Sequence, residues 1–239
     1  MDIKKAYFEL IKERVSDAYE KQKDQIRAVA GLFFECMENN GVVQLFGVRH
    51  GEEFVNELKF RAGGIVPFHG LKLKELVLKE LLKQEEIDSG DVYSDFGVID
   101  KFAQIYDLDD RDMYCLVSFY GNEPLIVELA RRVKEKGQKV VAVVNRKSYD
   151  LHGGKLLDYA DLYLDMNADE PDLALDIDGT KTGQLSSTVT NVIAQMITAE
   201  VYNCFVSAGK EAPVLLSANI KGADVHNNSL TDPYGRRVR

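Results

Sequence analysis

The chain has 239 residues, 45% of them apolar, which is enough to bury a full core in one α/β domain. Its 30 Lys and Arg against 39 Asp and Glu leave a net charge of -9, which argues against a general nucleic-acid surface and means any anion site must be built locally. The N-terminus MDIKKAYFELIKERV is too charged for a signal peptide and no apolar run approaches the roughly 20 residues of a membrane span, so a cytoplasmic protein is expected.

In chain order, Ile3, Tyr7, Leu10 and Ile11, then Ile26, Val29, Phe33 and Met37, keep the three-and-four spacing of a helix and predict a long N-terminal arm over residues 1–38. Asn39-Asn40-Gly41 supplies a left-handed stop. Val42–Val48 reads as a short buried strand; Gly47, a polar turn and the pattern Phe54, Val55, Leu58, Ala62 then predict a helix stopped by Gly63-Gly64. Leu71–Lys83 predicts a second helix with its lysines on the wet face. Residues 94–106 predict another, with Ser94 or Asp95 as its cap.

The clearest unit is strand Met113–Phe119, helix Pro124–Lys136 and strand Lys139–Asn145, with proline in the first helical turn and Gly137 just past the last. Such a βαβ crossover implies a parallel sheet with helices on its faces. ADLYLDM and LALDIDG, residues 160–166 and 173–179, predict two more short strands. A seam of Val189, Ile193, Met196, Ile197, Val201 and Phe205 predicts a long helix to about Ser207. The polar tail, residues 210–239, is expected to be ordered only where it packs on something.

Together these elements predict an α/β fold with about five parallel strands between helix layers, organised as a single domain over residues 1–239. Ligands of such sheets bind beyond the carboxyl ends of the strands, which singles out the loops at residues 47–53, 118–123 and 182–190. Each leads into a helix N-terminus, where free N–H groups favour an anion. The last adds four hydroxyls, Ser186, Ser187, Thr188 and Thr190, suited to a phosphate. No NAD or ATP fingerprint is present and His50 with Glu53 does not make a metal site, so no cofactor and no metal are expected. Cys36, Cys115 and Cys204 read as reduced packing residues, and His69 as a surface histidine.

Four stretches, FGVRHGEEFVNELKFRAGGIVP, HGGKLLDYADLYLD, SSTVTNVIAQMITAEV and PVLLSANIKGADVHNN, resemble in order the motifs of the sugar isomerase (SIS) domain proteins, specifically a small bacterial group associated with phosphosugar and phosphoheptose isomerases. The likeness is most specific in Arg61-Ala62-Gly63-Gly64, in Leu216-Ser217-Ala218-Asn219 and in His226-Asn227. It implies a three-layer α/β/α sandwich of flavodoxin-like type, a homodimer or homotetramer, and a phosphorylated sugar in the cleft.

The chain also departs from that pattern. Gly47-Val48-Arg49-His50-Gly51 stands where the family reads Gly-Thr-Gly-His-Ser, and Ser118-Phe119-Tyr120-Gly121 where it reads Ser-Asn-Ser-Gly. His152 and Lys155 match the ends of a family run in which Gly153 replaces a serine.

Aldose–ketose isomerisation needs a base, a group that opens the sugar ring and a phosphate anchor. Glu57 is the expected base. His226, in a tail expected to complete the cleft, is the expected ring-opening group, with His50 as the alternative; Arg49, Ser118, Ser186, Ser187, Thr188 and Thr190 are the expected phosphate ligands. Arg49 has two readings, phosphate pairing or pairing with Glu52 or Glu53. Phe119 and Tyr120 favour a non-catalytic phosphosugar sensor or partner subunit if they fill the cleft, and a changed substrate if they line it.

Overall fold

A computed structural model describes residues 2–59 and 61–238. Helix α1 (Ile3–Glu38) starts where Asp2 accepts the Lys5 N–H at 3.2 Å and ends at Asn39, followed by Asn40 in the left-handed region at φ 55°. Its 36 residues span about 54 Å at 1.5 Å each. That is several times the length of any strand here, and the buried positions of α1 begin only at Ala18.

β1 (Val43–Gly47) is wholly buried and leads into α2 (Gly51–Leu58). The helix stops there instead of running to Ala62, and Lys59 turns into extended backbone. Next comes a strand that the sequence hid, β2 (Phe68–Gly70), too short to show any alternation. The helix predicted over residues 71–83 is confined to α3 (Leu73–Leu78), because Glu80 takes a left-handed turn before α4 (Gln84–Ser89). A 3-10 turn, Asp91–Ser94, leads to α5 (Gly97–Ile105), whose first N–H is taken by Asp95 at 2.8 Å. β3 (Met113–Val117), α6 (Pro124–Glu135), β4 (Val140–Val144), α7 (Arg146–Leu151) and β5 (Leu162–Asp165) follow, close to expectation where a bound was predicted.

The sheet order is β2-β1-β3-β4-β5 with every pairing parallel. Five strands are present as expected, but the fifth is β2. The run at residues 173–179 instead forms β6 (Leu175–Ile177), paired antiparallel with β7 (Thr180–Thr182) in a separate ribbon. Asp178 and Gly179 both have positive φ, the two-residue turn that reverses a chain into a hairpin. The last long elements are α8 (Ser186–Ser207) and α9 (Ala223–Thr231).

Alternate strand residues divide between two cores. Val43, Leu45, Cys115, Val117, Val141 and Val143 meet α1, α2 and α8, whereas Phe46, Tyr114, Leu116, Val140, Ala142 and Val144 meet α3, α5 and α6. The result is the three-layer α/β/α arrangement, with strands apolar on both faces because both are covered.

The tail is ordered by packing on the amino ends of the strands. Leu215 and Val238 join Val42 and Val66, and Ile65 bridges Val214. The Asn227 side chain clamps both polar backbone groups of Leu216, at 2.8 and 2.9 Å. Arg237 pairs with buried Asp112, which also accepts the Val42 N–H and the Gln44 amide, each at 2.9 Å. His69 is buried, contrary to expectation: its Nδ1 sits 2.7 Å from Gln44 Oε1, and burial pushes its pKa down to about 4. Cys36, Cys115 and Cys204 are free thiols, the first two buried, and burial pushes Cys36 up to about 12. Among the described residues no helix is long and apolar enough to cross a membrane.

Candidate functional site

The loops at residues 47–53, 118–123 and 182–190 gather beyond the carboxyl ends of the strands. The first is shaped by close packing. A Cβ on Gly51 would come within 2.6 Å of the Val117 carbonyl oxygen, so glycine alone lets α2 start directly against β3. Arg49 sits at φ 54° with its guanidinium carbon 5.1 Å from the centre of the Tyr93 ring. Arg49 thus makes a cation–π contact, and among the described residues no ion pair joins it to Glu52 or Glu53.

At the third loop, the N-terminus of α8 has a partner the sequence did not suggest. Asp172, 8% exposed, accepts the Leu185 N–H at 3.0 Å, the Ser186 N–H at 2.9 Å and the Ser186 hydroxyl at 2.5 Å. It caps the helix from outside, where Leu185 has no side chain able to do so. The Thr190 hydroxyl donates back to the Ser186 carbonyl at 2.7 Å and is buried. Ser186 and Thr190 thus spend their hydroxyls on internal partners. Asp172 lies 14 residues before Ser186 in an irregular segment, so no local spacing marked it.

Ser187 and Thr188 stand differently, although the Thr188 hydroxyl also lies 3.5 Å from that of Tyr7. With Asn191, Val192 and Gln195 of α8 they line an open groove whose other wall carries Glu57 of α2. The Glu57 carboxylate accepts the Gln195 amide at 2.6 Å and pairs with Arg61. His50 adjoins this end of α8, its Nδ1 3.5 Å from Asp172 Oδ2 and 3.4 Å from the Gln184 amide nitrogen.

In the second loop the buried Ser118 hydroxyl accepts the Gly121 N–H at 2.7 Å and donates to Glu123, so it braces its own turn. Phe119 is buried in the core and Tyr120, 37% exposed, stands on the rim. Ring centres run from His50 to Phe119 at 5.6 Å, Phe119 to Tyr120 at 5.1 Å and Tyr120 to His152 at 4.8 Å. His152 in turn lies 3.7 Å from Glu170. Burial, then the charges of Glu170, Glu123 and Asp172, raise the pKa of Tyr120, so this rim is acidic.

His226 is not brought to these loops within the chain. Its Nε2 lies 3.0 Å from the Val214 carbonyl, in the tail segment bridged to Ile65 at the amino ends of the strands.

Comparison with known proteins places this architecture. Residues 6–145 match the family described as the SIS domain. A UPF0309 protein of Halalkalibacterium halodurans is 28% identical over 242 residues, covering 98% of this chain and 95% of that protein. A UPF0309 protein of Listeria innocua is 28% identical over 245 residues, covering 97% and 96%. Among solved structures, a phosphoheptose isomerase from Neisseria gonorrhoeae shares the fold at 16% identity, with a TM-score of 0.54 over 84% of this chain and 96% of that one. A phosphoheptose isomerase from Francisella tularensis does so at 16% identity and a TM-score of 0.54, over 83% and 97%.

Proposed function

This chain belongs to the SIS domain family, and we propose that it binds a phosphorylated sugar beyond the carboxyl ends of its strands and interconverts the aldose and ketose forms. The observation that carries this reading is the groove in which Glu57 faces Ser187 and Thr188. The two hydroxyls, with the first-turn N–H groups of α8 that Asp172 does not take, suit a phosphate. A phosphate anchored there holds the sugar carbons against a fixed carboxylate, which lowers the entropic part of the barrier.

Glu57 takes the proton from the carbon beside the carbonyl. The resulting enediol receives it back at the former carbonyl carbon, while a hydroxyl proton moves between the two oxygens. Gln195 orients the carboxylate through its amide. Ring opening falls to His50 in the same chain, or to His226 of the partner subunit in a homodimer, since within one chain His226 is tied to the far end of the sheet.

A second reading, a phosphosugar sensor without turnover, draws on Asp172. Its carboxylate already takes two N–H groups and one hydroxyl at the start of α8, and Arg61 pairs with the base.

Thermal unfolding with hexose, hexosamine and heptose phosphates tests binding. A ligand at 100 times its Kd stabilises the protein by about 2.7 kcal/mol, and no shift with any of them overturns the proposal. In a coupled isomerase assay, Glu57→Gln is expected to keep the thermal shift and lower kcat by about 10²–10⁴-fold. A shift without turnover in the parent protein leaves the sensor reading.

A further inference from the structure

A second cavity, of about 250 Å³, opens on a different face of α2. Glu52, Val55 and Asn56 line it from that helix at i, i+3 and i+4, and Lys59 joins them from the residue just past its end. Lys72 and Lys74 approach from the segment after β2, and Phe46, Leu71, Leu73 and Ile87 add apolar wall. Three lysines therefore line one cavity, with Glu52 as the carboxylate in its lining, in a chain whose net charge is -9. Lys72 also faces Glu75 at 3.4 Å.

Lys59 and Lys72 line the same cavity, close enough for the charge of one to act on the other, whereas long flexible side chains at a surface spread into solvent. Burial first, and Lys72 next, lower the Lys59 pKa to about 8. Packing holds Lys59 in place. Its stem lies across Gly70, where a Cβ would come within 2.9 Å of Lys59 Cδ and 3.2 Å of Val55 Cγ1. Lys72 has Glu75, but among the described residues no carboxylate lies within ion-pair distance of Lys59, so an anion entering the cavity answers the Lys59 charge and rests its uncharged part on the apolar wall.

We propose that the cavity between α2 and the start of α3 is a binding site for a small organic anion, a phosphate or carboxylate held by Lys59 and Lys72, with an apolar body against Phe46, Leu71 and Leu73. The site is separate from the groove at Glu57, and either can fail without the other.

Titration calorimetry of the full chain with phenyl phosphate, benzoate and inorganic phosphate tests it. Saturable binding is expected for phenyl phosphate or benzoate, with an affinity at least about tenfold above that of inorganic phosphate. Lys59→Met and Lys72→Met are each expected to weaken that binding about tenfold or more, and Ser187→Ala to leave it unchanged. As a second measurement on the parent protein, the bound anion should protect Lys59 from amine acylation, read by peptide mass. The proposal is overturned if no organic anion saturates, if inorganic phosphate binds equally well, if both lysine variants bind like the parent, or if Ser187→Ala abolishes binding.

Discussion

Asp172 shows how much one residue can settle at this site. By capping α8 from a remote loop it converts Ser186 from an open hydroxyl into an internal donor. Asp172→Ala is expected to cost about 1–3 kcal/mol, read by urea unfolding, because it removes a cap and leaves buried donors without a partner. His69 sets an acid limit. Its folded pKa is about 4 against an ordinary 6.5, so between those values the unfolded chain binds more protons and stability rises with pH. Its contribution is fully present above about 6.5 and is lost as the pH falls towards 4, amounting to at most about 3 kcal/mol. His69→Gln is expected to flatten the urea midpoint over that window. Neither residue was legible beforehand. Asp172 has no motif, and a lone histidine in a three-residue strand carries no sign of its burial.

At the scale of elements, the glycine-rich start of α2 works by packing as much as by anion chemistry. Gly51→Ala forces a side-chain carbon towards the Val117 carbonyl, 2.6 Å from its ideal position. A loss of about 1–3 kcal/mol is expected in urea unfolding, together with a lower rate in the proposed isomerisation, since Glu57 rides on the same helix. Long, strongly patterned elements were readable: α1, α6, α8 and strands β1, β3 and β4 lie where periodicity and caps put them. The short ones were not. β2 has too few residues for a period, and the lysine-rich run at residues 71–83 kept a helical pattern through a chain reversal at Glu80. The β6–β7 hairpin did carry a sequence signal, Asp178-Gly179, outweighed by the apolar run before it.

At the scale of the molecule, α1 packs on the core along one side and leaves large apolar side chains exposed on another. Phe8 is 62% exposed and Tyr19 48%, on an arm whose first buried residue is Ala18. A second copy of the chain is the expected cover. Sedimentation is expected to give twice the chain mass of 26.9 kDa, and the double substitution Phe8→Asp, Tyr19→Asp to return the single mass, also removing any cleft completed by His226 of the partner subunit. The sequence alone determined the α/β class, the parallel sheet, the long helices and the three loops at one end, because strand alternation, helical spacing and caps act over a few neighbouring residues. It also put Glu57, Ser187 and Thr188 on elements that later meet. Tertiary structure alone decided that Asp172 caps Ser186, that Arg49 lies over Tyr93, that Lys59 and Lys72 line one cavity and that His226 sits at the opposite end of the sheet. Those pairings join residues from separate loops and helices, and only the stacking of the layers brings them within reach of one another.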